Sequence, residues 1–215
     1  MNATMDLLRL ASRLRLQPEA ELHPSWLPTE WPLRHRHIER LGPGGRAALA
    51  DWLRTQTPDV GFNFDTPARR LVLLDGRSLR RMALYCALVA HAPLMRQRGE
   101  LGSQLRRQAR RIDRDAQRVV LERLPAVPSL KVDTSRLEQR PIAAGRVLVN
   151  RGYRLLQGAV APQGDAVLQR LQRKLPRRAA LLRLPPLQPR QLDQLQELML
   201  MAIVPERLAQ WDWLF

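Results

Sequence analysis

LVLLDGRSLRRMALYCALVAHAPLMRQRGELGSQLRRQARRIDRDAQRVVLERL, residues 71–124, is the stretch whose reading decides the fold. Its first half is the most apolar part of the chain. Asp75-Gly76 stops the preceding run, because glycine tolerates the conformations that end helices. Ser78 supplies a side-chain oxygen to cap a new one. Leu79, Met82, Ala83, Cys86, Val89 and Ala90 then recur at steps of three and four, which places them on one side of a helix. Leu84, Ala87 and Leu88 widen that side, so the helix is expected to be buried over most of its girth. Pro93 ends or kinks it. The second half reads as one long amphipathic helix carrying Leu101, Leu105, Ala109, Ile112, Ala116, Val119 and Val120, closed by Pro125. Arg106, Arg110, Arg114 and Arg118 follow one another at steps of four along its outer surface. Like charges at that spacing repel by about 0.2–0.5 kcal/mol each, and Asp113, Asp115 and Glu122 relieve this only in part. Such a stripe is either a solvated helix face or a docking surface for an acidic partner.

Composition agrees with a helical body. The chain has 215 residues, of which 45% are hydrophobic and only 5% aromatic. That suits a core of Leu, Ala and Val, and it leaves too few β-branched and aromatic residues for a large sheet. The formal net charge is +16, which invites nucleic acid, anionic lipid or an acidic protein as partner. Nearly all of that charge is arginine, Lys131 and Lys174 being the lysines, and it is spread along the whole chain rather than held in one tail. Cys86 is the single cysteine, so no intramolecular disulfide forms, and its apolar helical setting predicts a buried thiol in a reducing compartment. No secretory signal is expected, since the first residues lack a basic region followed by an apolar run. No stretch approaches the roughly 20 apolar residues needed to span a bilayer.

The chain before the central stretch is irregular. Residues 4–16 form a short basic amphipathic helix, with Leu7, Leu8, Leu10, Ala11 and Leu14 against Arg9, Arg13 and Arg15. It can pack on its own domain, lie on an anionic membrane or address a mitochondrion; Asp6, Glu19 and Glu21 dilute the basic pattern and favour packing. QPEAELHPSWLPTEWPL, residues 17–33, has too many prolines for a continuous helix, and Trp26 and Trp31 either pin it to the body or mark an interface. His35-Arg36-His37, with His23, His91 and Cys86 scattered elsewhere, has no zinc-ligand spacing, so no metal is expected. Gly42-Pro43-Gly44-Gly45 lacks the Lys-Ser/Thr pair of a Walker loop and reads as a turn before a helix at Arg46–Arg54. Residues 55–65 read as a loop that leaves local extended pairing open. Thr66-Pro67 then starts a helix as cap and first-turn proline.

After Pro125 the prolines at 125, 128 and 141 mark a linker. Ile142–Gln157 reads as a helix on which Gly145, Val149, Gly152 and Leu156 share a face for close packing, although Val147-Leu148-Val149 leaves a strand open. Gly164-Asp165 opens a helix carrying Val167, Leu168, Leu171 and Leu175. Residues 170–190 hold a second basic cluster of Arg170, Arg173, Lys174, Arg177, Arg178, Arg183 and Arg190 with no acid among them. It is either a set of exposed turns or an acidic-surface docking site. Pro185–Pro189 is a stiff connector. Leu192, Leu195, Leu198, Met199, Ala202 and Ile203 make an amphipathic helix that Pro205 is expected to break, and Leu208, Trp211, Leu214 and Phe215 lie at helical spacing in a final turn that needs cover.

These features together resemble the SctK family of type III secretion accessory proteins, in its Hrp-type branch. The resemblance rests on the Leu71–Leu124 segment, on LQRKLPRRAALLRLP and on LMAIVPERLAQWDWLF, and covers roughly residues 66–215. It implies a non-enzymatic cytosolic component of the injectisome sorting platform, at the cytoplasmic face of the bacterial inner membrane. Such a component bridges the inner-membrane ring protein SctD and the pod protein SctQ.

The expectation is therefore a mainly α, single multi-helix globular domain with a proline-rich irregular N-terminal segment. Its parts are residues 1–65, a central helical core at 66–124, a linker at 125–141 and C-terminal helices at 142–215 that pack on the core. Neither catalytic residues nor a cofactor are expected, because the histidines, the cysteine and the acids fall into no nucleophile–base arrangement. Charge and hydrophobic pattern nominate Arg106, Arg110, Arg114 and Arg118, with Arg173, Lys174, Arg177 and Arg178, as partner-binding residues. The competing reading is a nucleic-acid-binding protein that uses the same arginines on phosphates, though the chain carries no recognition signature or aromatic platform beside them.

Overall fold

The structure is a computed structural model that describes residues 3–30, 38–127, 130 and 133–215. It is mainly α, and among the described residues there is no strand. In chain order the helices are α1 (Ala3–Leu16), α2 (Pro43–Gln56), α3 (Pro67–Arg70), α4 (Gly76–Ala90), α5 (Ala92–Arg96), α6 (Glu100–Ile112), α7 (Ala116–Arg118), α8 (Ser135–Gln139), α9 (Ala144–Val160), α10 (Asp165–Arg173), α11 (Arg177–Ala180), α12 (Pro189–Glu197) and α13 (Val204–Arg207). Trp31, the His35-Arg36-His37 triplet and part of the expected 125–141 linker lie outside the described residues. No helix among the described residues is long and apolar enough to cross a membrane.

Local chemistry sets most helix starts. Thr66 accepts the Arg69 N–H at 3.3 Å, with Pro67 in the first turn of α3. α4 is capped by Asp75, whose Oδ1 accepts the N–H groups of Arg77 and Ser78, both at 2.8 Å, while the Ser78 hydroxyl bonds back to Oδ2. The cap thus sits three residues before the expected Ser78. α2 begins at Pro43 rather than Arg46, since a proline fits a first turn whose N–H groups have no intrahelical acceptor. Gly99 and Gly164 precede α6 and α10 with φ of 107° and 102°, a region that excludes ordinary side chains. The 147–149 triplet is helical, inside α9.

Two helices depart from the expected course. The long helix of residues 101–124 is broken: α6 stops at Ile112, Asp113 turns extended at φ −159° and ψ 140°, and α7 restarts at Ala116. The next turn, Val119–Arg123, is a π-helix whose closing bond runs from Leu124 N–H to Val119 O. Pro205 likewise does not break the C-terminal helix. Residues Leu198–Ile203 widen into a π-turn, closed by Val204 N–H on Met199 O, and α13 continues with Pro205 in its first turn. The wider turn removes the need for the N–H that proline lacks.

The chain folds into two compact units. One contains residues 1–79, 160–181 and 213–215, and the other contains 80–159 and 182–212. In the first, Leu22, Leu27, Leu41, Leu49 and Leu53 form a buried cluster, with Trp26, Ile38 and Trp52 packed against it. Leu71, Leu73 and Leu74 are fully buried there, as are Leu171 and Leu175 of the α10 region. In the second unit, Met82, Tyr85, Leu88, Met95, Leu105, Ala109, Leu148, Leu156, Leu195 and Met199 are buried. Gly152 of α9 lies against the α4 backbone; a Cβ there would stand 2.3 Å from the Ala83 carbonyl oxygen.

Candidate partner-docking surfaces

The outer face of α6 follows from its inner one. Leu105 and Ala109 are buried, so Arg107, Arg110 and Arg111 stand exposed, and Arg114 continues the exposed surface past the helix end. Among the described residues, no ion pair engages any of these four. Arg110 Nε donates to Gln117 Oε1 at 3.2 Å, which holds it without neutralising it. Arg118 is exposed and weakly paired with Asp115 at 3.5 Å.

Arg106 does not belong to this face. It is half-buried, and its Nη1 donates to the carbonyl oxygens of Met95 and Gln97, at 2.6 and 3.0 Å, closing the C-terminal end of α5. The step-of-four stripe is thus corrected in two respects. Arg106 points at backbone, and Arg114 and Arg118 lie beyond the break at Asp113. Arg107 and Arg111, which the stripe passed over, are exposed alongside Arg110. The phase of Leu105 and Ala109 already pointed to them.

The cause of the break is a carboxylate drawn inward. Asp113 Oδ2 accepts from the guanidinium groups of Arg81 and Arg207, and Tyr85 OH lies 3.4 Å away. Arg207 in turn sits over the Tyr85 ring, 5.4 Å from its centroid. Acids taken partly out of water need such partners, and Asp113, 18% exposed at its side chain, meets them where the chain leaves the helix.

The second basic cluster divides more sharply. Lys174 is only 5% exposed. Its ammonium pairs with Glu21 and also donates to the Leu74 carbonyl at 2.8 Å. It is an internal counter-ion rather than a partner-binding residue, because its flexible stem folds back onto a carboxylate from an earlier segment. Arg177 and Arg178 are exposed, and no ion pair among the described residues engages them.

Arg173 is half-buried against aromatic rings, its guanidinium carbon 4.2 Å from the Trp26 centroid and 6.0 Å from that of Trp52. Arg177 lies 5.8 Å from the Trp26 ring. Trp26 is held by its Nε1–H, which donates to the carbonyls of Leu175 at 2.9 Å and Gln172 at 3.2 Å. Backbone links fix the same register: His23 N–H donates to Arg173 O at 2.8 Å, and Arg177 N–H to Ser25 Oγ at 2.7 Å. Burial and the nearby positive charge of Arg177 both press the Arg173 pKa downward.

The remaining candidates are structural. Burial pushes the Cys86 thiol well above its usual range, so the sulfur is inert. His91 is wholly buried, with Nδ1 at 2.7 Å from Ala87 O and Nε2 at 2.7 Å from Arg151 Nη1. It is therefore neutral, donating from Nδ1 and accepting at Nε2. Among the described residues, no group of histidine, cysteine and acidic side chains has the makings of a metal site.

The family described as YOP proteins translocation protein K, or YscK, matches the chain over residues 10–207. The chain belongs to the YscK family. This is the family, also called SctK, that the sequence resembles, and it makes the chain a type III secretion protein. The match takes in both the α6 face and the α10–α11 cluster, as well as most of the N-terminal region that contributed little to the resemblance. No curated protein and no solved structure matches the chain.

Proposed function

We propose that this YscK-family protein is a non-enzymatic adaptor at the cytoplasmic face of the bacterial inner membrane, bridging the ring protein SctD and the pod protein SctQ. The observation that carries this reading is that each compact unit bears its own basic surface. One unit offers Arg107, Arg110, Arg111 and Arg114. The other offers Arg173, Arg177 and Arg178. A protein that must hold two neighbours needs two such surfaces. Exposed guanidinium groups steer an acidic neighbour into register and speed encounter, while apolar contacts supply the remaining affinity.

Capture of purified SctQ and of the cytoplasmic domain of SctD on the immobilised full chain tests the reading. Both are expected to bind at low salt and to weaken as salt rises. Reversing the α6 charges, with Arg107→Glu and Arg111→Glu, is expected to release one of them and spare the other. Arg177→Glu with Arg178→Glu is expected to do the converse. Failure of the unaltered chain to retain either protein at low salt would end the proposal.

A further inference from the structure

The groove beside Trp26 has features that a merely solvated charge cluster lacks. Trp26, Trp52, Gln56, Arg173 and Arg177 line it, and so does Glu30. All belong to the first unit. Two guanidinium groups converge on one indole, at 4.2 and 5.8 Å. Among the described residues no carboxylate pairs with either. Glu30 is held by the Thr29 hydroxyl at 3.3 Å.

A guanidinium held over an indole by cation–π attraction still has N–H donors to offer a ligand, because the ring is not a hydrogen-bond acceptor for all five of them. The stacking also fixes the side chain before any ligand arrives, so less rotamer entropy is lost on binding. Two repelling cations fixed side by side over an apolar floor are relieved by anions, and the planar forks match carboxylates in particular. An indole floor beside the forks accepts the apolar backbone and side-chain surface of an extended chain.

We infer that this groove binds an extended acidic segment of a protein partner, with its Asp or Glu carboxylates on the edges of Arg173 and Arg177 and its chain laid across Trp26 and Trp52. The inference rests on the adaptor reading for the identity of the partner, not for the chemistry of the groove.

The test uses the full chain and a fluorescently labelled peptide of alternating Glu and Gly, with a Gln-and-Gly peptide as its uncharged counterpart, followed by anisotropy. The Glu peptide is expected to bind at low salt and the Gln peptide not to. Arg177→Glu, an exposed change that leaves the core untouched, is expected to weaken binding by about tenfold or more, as loss of one charged hydrogen-bonding partner does. Arg173→Lys keeps the charge but loses the planar fork, and a several-fold loss is expected from it. That result separates a built groove from general attraction to a basic protein, which Lys would preserve. Equal binding of the Glu and Gln peptides would overturn the inference, as would no effect of Arg177→Glu. So would stronger displacement of the Glu peptide by a single-stranded oligonucleotide at equal charge, which would assign the groove to nucleic acid. Capture of SctD and SctQ, measured separately, decides the adaptor reading: peptide binding with no capture keeps the groove and removes that role.

Discussion

His91 and Lys174 are ionisable groups that folding has taken out of water, and each carries a consequence that can be measured. Burial lowers the His91 pKa from 6.5 to about 4, with the adjacent Arg151 charge acting in the same direction and the bond to the Ala87 carbonyl opposing it. Between these values the unfolded chain binds a proton that the folded chain refuses. Stability is therefore whole above pH 6.5 and falls as the pH drops toward about 4, by on the order of 3 kcal/mol. Urea unfolding at neutral and mildly acid pH should show this slope, and His91→Gln should flatten it; an unchanged slope in the variant would assign the titration elsewhere. For Lys174, the burial that lowers its pKa is opposed by the Glu21 charge. Glu21→Gln leaves a buried ammonium without its counter-ion and is expected to cost about 3 kcal/mol, whereas Lys174→Met removes the charge itself and should cost less. Comparing the two denaturation midpoints checks the order.

At the scale of helices, two contacts decide the architecture of the second unit. Gly152→Ala would drive a methyl into the Ala83 carbonyl at 2.3 Å, backbone against backbone, with no flexible end to yield. A loss of about 3 kcal/mol is expected from this overpacking, read by thermal unfolding. Asp113→Ala would strand Arg81 and Arg207 and is expected to cost about 2–3 kcal/mol. It would also let α6 run on toward α7, visible as a gain in helical circular dichroism. The sequence made several of these elements readable. Thr66-Pro67, Gly164-Asp165 and the leucine phase of α4 act locally, and local signals survive in one dimension. The Gly152 contact was readable too, as small residues on one helix face. The break at Asp113 was not. Asp113 Oδ1 does accept the nearby Asp115 N–H at 3.3 Å, but its other oxygen meets Arg81 and Arg207, which lie far away in the sequence. The helix does end before Pro125, as its proline signals, but the π-turn before Pro205 was missed, since a proline in a helical pattern gives no hint of a widened turn that lets the helix continue.

At the scale of the molecule, the +16 charge divides into cations that folding consumes and cations that it leaves on the surface. Arg106, Lys174 and Arg207 are of the first kind; Arg107, Arg111, Arg114, Arg177 and Arg178 are of the second. Charge counting does not separate them, and helix phase does so only for α6. Trp26 and Arg173 gave no mutual signal, since nothing in the sequence says that residues so far apart will stack. Neutralising Arg107, Arg110 and Arg111 to Gln is expected to leave the melting temperature unchanged or slightly raised, because neighbouring like charges repel. The same variant should lose the salt dependence of capture through that surface, which separates a docking role from a structural one. The composition of the first unit from residues 1–79, 160–181 and 213–215 has a further outcome during synthesis. While the ribosome is making the first 159 residues, the leading segment has no α10 to close against, and Trp26 lacks the carbonyls of Gln172 and Leu175. That segment must wait, exposed to chaperones and proteases, until the later part of the chain emerges.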